Sequence, residues 1–200
     1  MIKRITDHMY SMDRFAKQKR HAVNKLGMSM AVGDVDEGIV SLLKAINSLE
    51  GYYTTSSCAG RIQLFQDLGN KIRNKQIACW HRRVKYREVP KEFKPVKGVL
   101  YFKCEPPILH IAARTLEAAG KLLVAARESG FKRSGIQSVK PERFMVELVS
   151  TESIDAPIME GGKKLVPETY IKYLVKAANR KYAAAQAKIR KLEANIRSLD

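Results

Sequence analysis

The chain has 200 residues, 45 % hydrophobic and 8 % aromatic, enough to bury a core and too apolar for global disorder. No apolar run approaches the ~20 residues of a membrane-spanning helix, and no apolar signal region follows the basic N-terminus, so a soluble, cytoplasmic protein is expected. The net charge of +17 attracts polyanions, nucleic acids foremost.

Residues 7–26 read as a basic helix, with Asp13 placed to cap it and Phe15, Ala22, Val23 and Leu26 near one face. Gly33-Asp34 ends that region. Asp36 caps a second helix running to about Leu49, with Ile39, Leu42, Leu43 and Ile46 as its stripe and Gly51 closing it. Tyr52 to Ser56 reads as a strand, Ser56 to Gly60 as a turn and Arg61 to Phe65 as the returning strand. A polar loop over 66–76 leads to a strand from Ile77 to Val84. Tyr86 to Lys97, with two prolines and much charge, reads as a linker. Gly98 to Lys103 is a strand, and Ile108 to Ala113 continues it past Pro106-Pro107. Arg114 to Ser129 is a helix closed by Gly130. Gly135 to Val139 and Arg143 to Ser150 form an antiparallel pair around Pro141-Glu142, and Asp155 to Met159 adds a short strand. Pro167 suits the first turn of a long helix to about Leu199, whose distal half would reach beyond a small core.

A helix with a Leu-Leu pair, then Gly51 and Tyr52, is echoed about 79 residues later by a helix with a Leu-Leu pair, then Gly130 and Phe131. The echo implies a single α+β domain. Two pseudo-repeated α-β-β halves, about 1–85 and 98–160, would form a mixed sheet, with a long C-terminal helix at 167–199.

The positive charge is concentrated. Lys71 to Lys97 and Lys163 to Leu199 each hold ten basic and two acidic residues, a net +8 apiece. RNA binding explains two such segments, as a uniformly basic surface does not. In Thr54-Thr55-Ser56-Ser57-Cys58-Ala59-Gly60-Arg61, small hydroxyl residues and a glycine let backbone N–H groups approach an anion or a base edge, with an arginine beside them. Arg133-Ser134-Gly135-Ile136 offers the same chemistry later in the chain. Trp80, followed by His81, Arg82 and Arg83, can stack a base while the cations hold phosphates, or can equally end a strand in the core. His110 on an apolar stretch is more often a buried, satisfied residue, and Asp36 is most simply a helix cap. The three cysteines form no C-x-x-C pair and the histidines have no metal-ligand spacing, so neither a disulfide framework nor a metal is expected. A small buried thiol suits Cys58 better than a nucleophile. No G-x-G-x-x-G, P-loop or H-E-x-x-H occurs.

The string Thr54 to Ile62 resembles the hallmark segment of the tRNA wybutosine-synthesising methyltransferases, the third enzyme of that pathway. Val35-Asp36-Glu37, Cys79-Trp80, Lys103-Cys104-Glu105-Pro106 with Leu109-His110, Ser129-Gly130-Phe131 with Ser134-Gly135-Ile136, Glu168-Tyr170-Ile171 and Ala178-Asn179 follow in the family's order, covering roughly residues 12–198. The resemblance implies an archaeal-type enzyme with a fold unlike the doubly wound methyltransferases. It implies S-adenosylmethionine as donor and, as acceptor, the N4 ring nitrogen of the aminocarboxypropyl form of the tricyclic wyosine-type base in tRNA-Phe. On that basis Ser57, His110 and Asp36 are expected at the reacting centre. Ser56, Cys58, Gly60, Arg61, Ser134 and Gly135 are expected to hold the cofactor in a hollow shared between the halves. Trp80, Arg14, Arg82 and Arg133 are expected to hold the tRNA. A monomer without metal is expected. The alternative is a non-catalytic RNA-binding module.

Overall fold

The computed structural model describes residues 2–93 and 97–199. Its elements in chain order are α1 (Ile2–Ala31), α2 (Glu37–Ser48), β1 (Tyr52–Cys58), β2 (Arg61–Asp67), β3 (Lys75–Trp80), β4 (Val99–Glu105), β5 (Ile108–Ala113), α3 (Leu116–Glu128), β6 (Gly135–Lys140), β7 (Arg143–Val149), β8 (Ile154–Glu160), β9 (Lys163–Lys164) and α4 (Glu168–Arg197). The α+β class holds. In place of one mixed sheet the described residues form two, ordered β1-β5-β7-β6 and β3-β2-β4-β8-β9, and every strand pair among them is antiparallel. Strands read as hairpin partners or continuations turn out to change sheets. β1 leaves for the other sheet through Ala59-Gly60, where Gly60 takes φ +89°, and β4 passes to β5 through Pro106-Pro107. Among the described residues no helix is long and apolar enough to cross a membrane.

The chain divides into two compact units, Met1–Ala59 with Pro107–Thr151 and Lys188–Asp200, and Gly60–Pro106 with Glu152–Ala187. In the first, the period of two along β5 turns Leu109, Ile111 and Ala113 to one face of the sheet. There they join Val146 and Leu148 against Ile39, Leu42, Leu43 and Ile46 of α2 and Ala119, Leu122 and Ala126 of α3. Ile189, Leu192 and Ile196 of α4 are buried in the same cluster, so the distal half of that helix is packed and not overhanging. On the opposite face Phe15 of α1, 1 % exposed, packs on Tyr53 and Ala112 beside Met145. α1 runs unbroken through Asp13, which therefore does not cap it.

In the second unit Ile62 and Leu64 of β2, Leu100, Phe102 and Cys104 of β4 and Ala156 and Ile158 of β8 bury against Ile171, Leu174, Val175 and Ala178 of α4. Residues 83–93 form more than a linker: two short 3-10 turns at Tyr86–Glu88 and Pro90–Glu92 place Val84 and Val89 in that core. Residues 94–96 of the same stretch lie outside the described residues.

The helix stops differ in kind. After α1, Gly33 (φ +76°) donates to Met30 O and Asp34 to Ser29 O. After α3, Gly130 (φ +92°) donates to Arg127 O and Phe131 to Ala126 O. Both are left-handed stops with the paired bonds of a Schellman motif. Gly51 is not one, because α2 ends at Leu49 in extended conformation and Gly51 has no positive φ. The two echoed glycines thus stand in different backbone conformations. A Cβ on Gly130 would also come within 2.8 Å of the Lys188 side chain, whereas one on Gly51 meets nothing within 4 Å. Gly130→Ala is expected to cost about 1 kcal/mol or more, and Gly51→Ala to be neutral or stabilising by up to about 1 kcal/mol. Urea denaturation of the two variants checks this, and equal losses would contradict it.

Candidate functional site

The register of β1 against β5 slips between Thr54 and Ser57: Thr54 faces Ile111, Ser57 faces Leu109, and Thr55 and Ser56 together oppose His110. This two-against-one arrangement is a β-bulge. Its consequence is chemical. Thr55 Oγ1 donates to His110 O (3.2 Å), and Ser56 Oγ lies 3.0 Å from His110 Nδ1. The other ring nitrogen, Nε2, is 3.0 Å from Glu147 Oε2, and Gln137 Nε2 donates to Glu147 Oε1 at 2.8 Å. A side-chain chain Ser56–His110–Glu147–Gln137 therefore crosses all four strands. Both ring nitrogens of His110 are thus held, Nε2 by a carboxylate oxygen of Glu147 and Nδ1 by the Ser56 hydroxyl.

The outer edge of β1 borders a hollow of about 390 Å³. Its polar wall is Thr54 to Ser57 with Asp34. Its apolar wall is Ala22 and Leu26 of α1, Val35 and Leu43, and His21 and Lys25 stand at its basic side. The strand is held there by Asn47 of α2, whose Oδ1 accepts from Thr54 N (3.0 Å) and whose Nδ2 donates to Thr54 Oγ1 (2.7 Å). Asp36 precedes α2 but makes no side-chain cap; its Oδ2 accepts from Ala59 N at 2.8 Å and fixes the end of the hydroxyl segment. Among the described residues Ser57 Oγ is buried without a hydrogen-bond partner, a state that costs free energy until a partner arrives. A volume of this size with mixed walls suits a nucleoside-sized ligand.

The remaining candidates are placed as follows. Cys58, half-buried, ends β1 beside Ser57. Ser134 and Gly135 begin β6, at the opposite edge of the same sheet from Ser56 and Ser57, and do not line the hollow. The Ser134 hydroxyl donates to Phe131 O and accepts from Val149 N, closing the α3–β6 turn. Arg133 Nε donates to Ser150 O (3.2 Å). Arg14 is exposed and lines a small recess with Phe15, Gln18 and the β6–β7 turn. In the second unit, Arg61 Nε meets Glu105 Oε2 at 2.5 Å, so the guanidinium holds a carboxylate of its own chain. Trp80 ends β3 half-buried against the core there. Arg82 is paired with Glu88 at 2.6 Å, and that bond, with the Lys85 backbone N–H, holds the Glu88 carboxyl down to about 2. Glu147, Gln137, Asn47 and Asp34 escaped the sequence reading.

A family model described as methyltransferase TYW3 matches residues 17–198. A Thermococcus sibiricus protein is 43 % identical over 188 residues, covering 92 % of this chain and 95 % of its own. One from Pyrococcus furiosus is 40 % identical over 191 residues, covering 94 % and 97 %. Both are named as tRNA(Phe) 7-((3-amino-3-carboxypropyl)-4-demethylwyosine(37)-N(4))-methyltransferases. A solved structure from Pyrococcus horikoshii superposes with a TM-score of 0.86 at 39 % identity, covering 92 % of this chain and 97 % of its own. One from Aeropyrum pernix gives 0.74 at 27 %, covering 82 % and 98 %.

The thiols are not alike in burial: Cys104 is buried, Cys58 and Cys79 half-buried. Burial pushes Cys104 up to about 11, with its Sγ among the Glu152 and Ala178 carbonyls. The folded form keeps this proton from about pH 9 to 11, where the unfolded chain loses it, so the thiol's contribution to stability falls as pH rises through that window. Iodoacetamide should spare Cys104 in the folded protein at pH 8 and react with it in urea. The fall in stability above pH 9 should be shallower in Cys104→Ala. Rapid alkylation of folded Cys104 would overturn the assignment.

Proposed function

The chain belongs to the methyltransferase TYW3 family, and we propose that it methylates N4 of the 7-(3-amino-3-carboxypropyl)-4-demethylwyosine at position 37 of tRNA(Phe), the reaction for which its relatives are named. We further propose S-adenosylmethionine as the donor and the hollow beside β1 as its site. The donor set fits: hydroxyls of Thr55 and Ser57 and the Asp34 carboxylate suit a ribose and an amino-acid head. Ala22, Leu26 and Val35 suit an adenine face. The unpartnered Ser57 hydroxyl supports a ligand there. Bound, such a donor supplies an electron-poor methyl carbon.

The observation that carries the reading is the Ser56–His110–Glu147 chain. Methylating a ring N–H releases a proton, which needs an acceptor as the N–C bond forms and the donor's S–C bond breaks. Ser56 Oγ can take that proton while passing its own to His110 Nδ1. Glu147 then faces the imidazolium formed. Asp36 positions the turn through Ala59, and alignment of nitrogen and methyl carbon does the rest. A non-catalytic RNA-binding module would account for the charge but leaves a hydroxyl joined to an imidazole and a carboxylate without a purpose.

Nucleoside mass spectrometry of tRNA(Phe) from a strain lacking this methylation, incubated with protein and S-adenosylmethionine, tests the reading. Ser56→Ala and His110→Ala should each lower kcat about 10²–10³-fold, and Glu147→Gln about tenfold, with tRNA KM little changed. Wild-type rates in all three would remove the proton-relay assignment. Ser57→Ala should weaken donor binding, read as heat on titration with S-adenosylmethionine.

A further inference from the structure

The second unit carries a groove of about 730 Å³ between α4 and residues 83–86, and none of its lining residues belongs to the hydroxyl hollow. We propose that this groove docks the sugar-phosphate backbone of the RNA substrate, an assignment that rests on the tRNA reading above. Arg83, Lys85, Lys172, Lys176 and Arg180 line it, and among the described residues no carboxylate does. Lys172 is engaged by Glu168 at 2.9 Å and lies over the Tyr86 ring at 5.0 Å. Among the described residues no acidic side chain pairs with Arg83, Lys176 or Arg180. Lys172, Lys176 and Arg180 stand one helical turn apart on one side of α4, a like-charge series that destabilises a helix left to itself. Concentrated in a concave surface, such charges focus a field that draws in a polyanion.

Shape favours a polymer over a small anion. From Lys172 to Ala183 the groove follows α4 for about 16 Å, at ~1.5 Å per residue. That length spans several nucleotide steps of ~3.4 Å. Val84, Val175 and Ala183 give it an apolar strip against which ribose carbons can lie. The walls are also set in advance. Asn179 clamps both backbone groups of Val84, accepting its N–H at 2.9 Å and donating to its carbonyl at 2.8 Å. Tyr182 donates to His81 O at 2.7 Å. A cationic segment held against a helix loses little freedom when a strand arrives. Arg82, neutralised by Glu88, takes no part; the neighbouring Arg83 does.

The test compares Arg83→Ala/Lys176→Ala/Arg180→Ala with Lys44→Ala/Lys121→Ala/Arg127→Ala, which removes equal charge from exposed positions of the first unit. Binding to a labelled tRNA(Phe) transcript is followed by fluorescence anisotropy across a salt series. The groove variant should lose about tenfold or more in affinity at low salt, and its log K against log salt slope should shrink by about 2 to 3. The control should change far less. Both variants should still release heat on titration with S-adenosylmethionine. Equal behaviour of the two variants overturns the groove. So does a groove variant that loses binding to phosphatidylserine vesicles but not to RNA. Should the wild-type chain methylate no tRNA, the functional reading falls, while the same pair of variants on poly(U) still decides the groove, with equal binding overturning it.

Discussion

Two residues of β1, Thr55 and Ser56, oppose a single residue of β5, His110, and that extra residue sets where each later side chain of the strand points. Before the bulge, Tyr52 belongs to the helix-covered core and Tyr53 to the face that meets Phe15 of α1. Strict alternation would send Ser56 back toward the helix-covered side. The bulge keeps it beside His110 and turns Ser57 inward, where its hydroxyl is buried without a partner. A regular strand would set Thr55 alone opposite His110; the bulge adds Ser56, whose hydroxyl meets the imidazole.

That geometry is held from several directions at once. Asn47 satisfies the edge backbone at Thr54, where the outer strand of a sheet otherwise leaves its polar groups to solvent. Asp36 forgoes capping α2 to take the N–H of Ala59. Glu147 and Gln137 fix the far end of the chain from β7 and β6. The polar residues therefore sit on rigid elements, with their rotamers constrained by bonds to neighbours. Such pre-organisation lets a positioned group act without reorganising.

How much of this was legible follows from the range of each interaction. The helices, the β6–β7 hairpin and the glycine stops at Gly33 and Gly130 depend on residues close in sequence, and their patterns show. Gly51 misled because an identical letter served a different backbone state: the chain is already extended at Leu49. The short links Ala59-Gly60 and Pro106-Pro107 read as hairpin turns or breaks, because nothing local distinguishes reversal within a sheet from transfer to another. The pairing of His110 with Glu147 is 37 residues long in sequence and depends on register. From the sequence His110 could only be a lone histidine on an apolar strand. The hydroxyl segment itself was legible, since its composition is unusual for a strand. Its burial and its bulge were not.

The absence of a glycine-rich loop is consistent with the chemistry proposed here. Such loops place backbone N–H groups and a helix N-terminus against phosphate. A sulfonium nucleoside carries no phosphate, so what its site requires is acceptors and hydroxyls for a ribose and an amino-acid head, and apolar surface for a base. An edge strand rich in serine and threonine, laid between a helix with an apolar face and an aspartate, meets those needs without a doubly wound sheet. Cations that suit a phosphate backbone lie on other elements, α4 and the 83–86 segment, where among the described residues no carboxylate lines the groove.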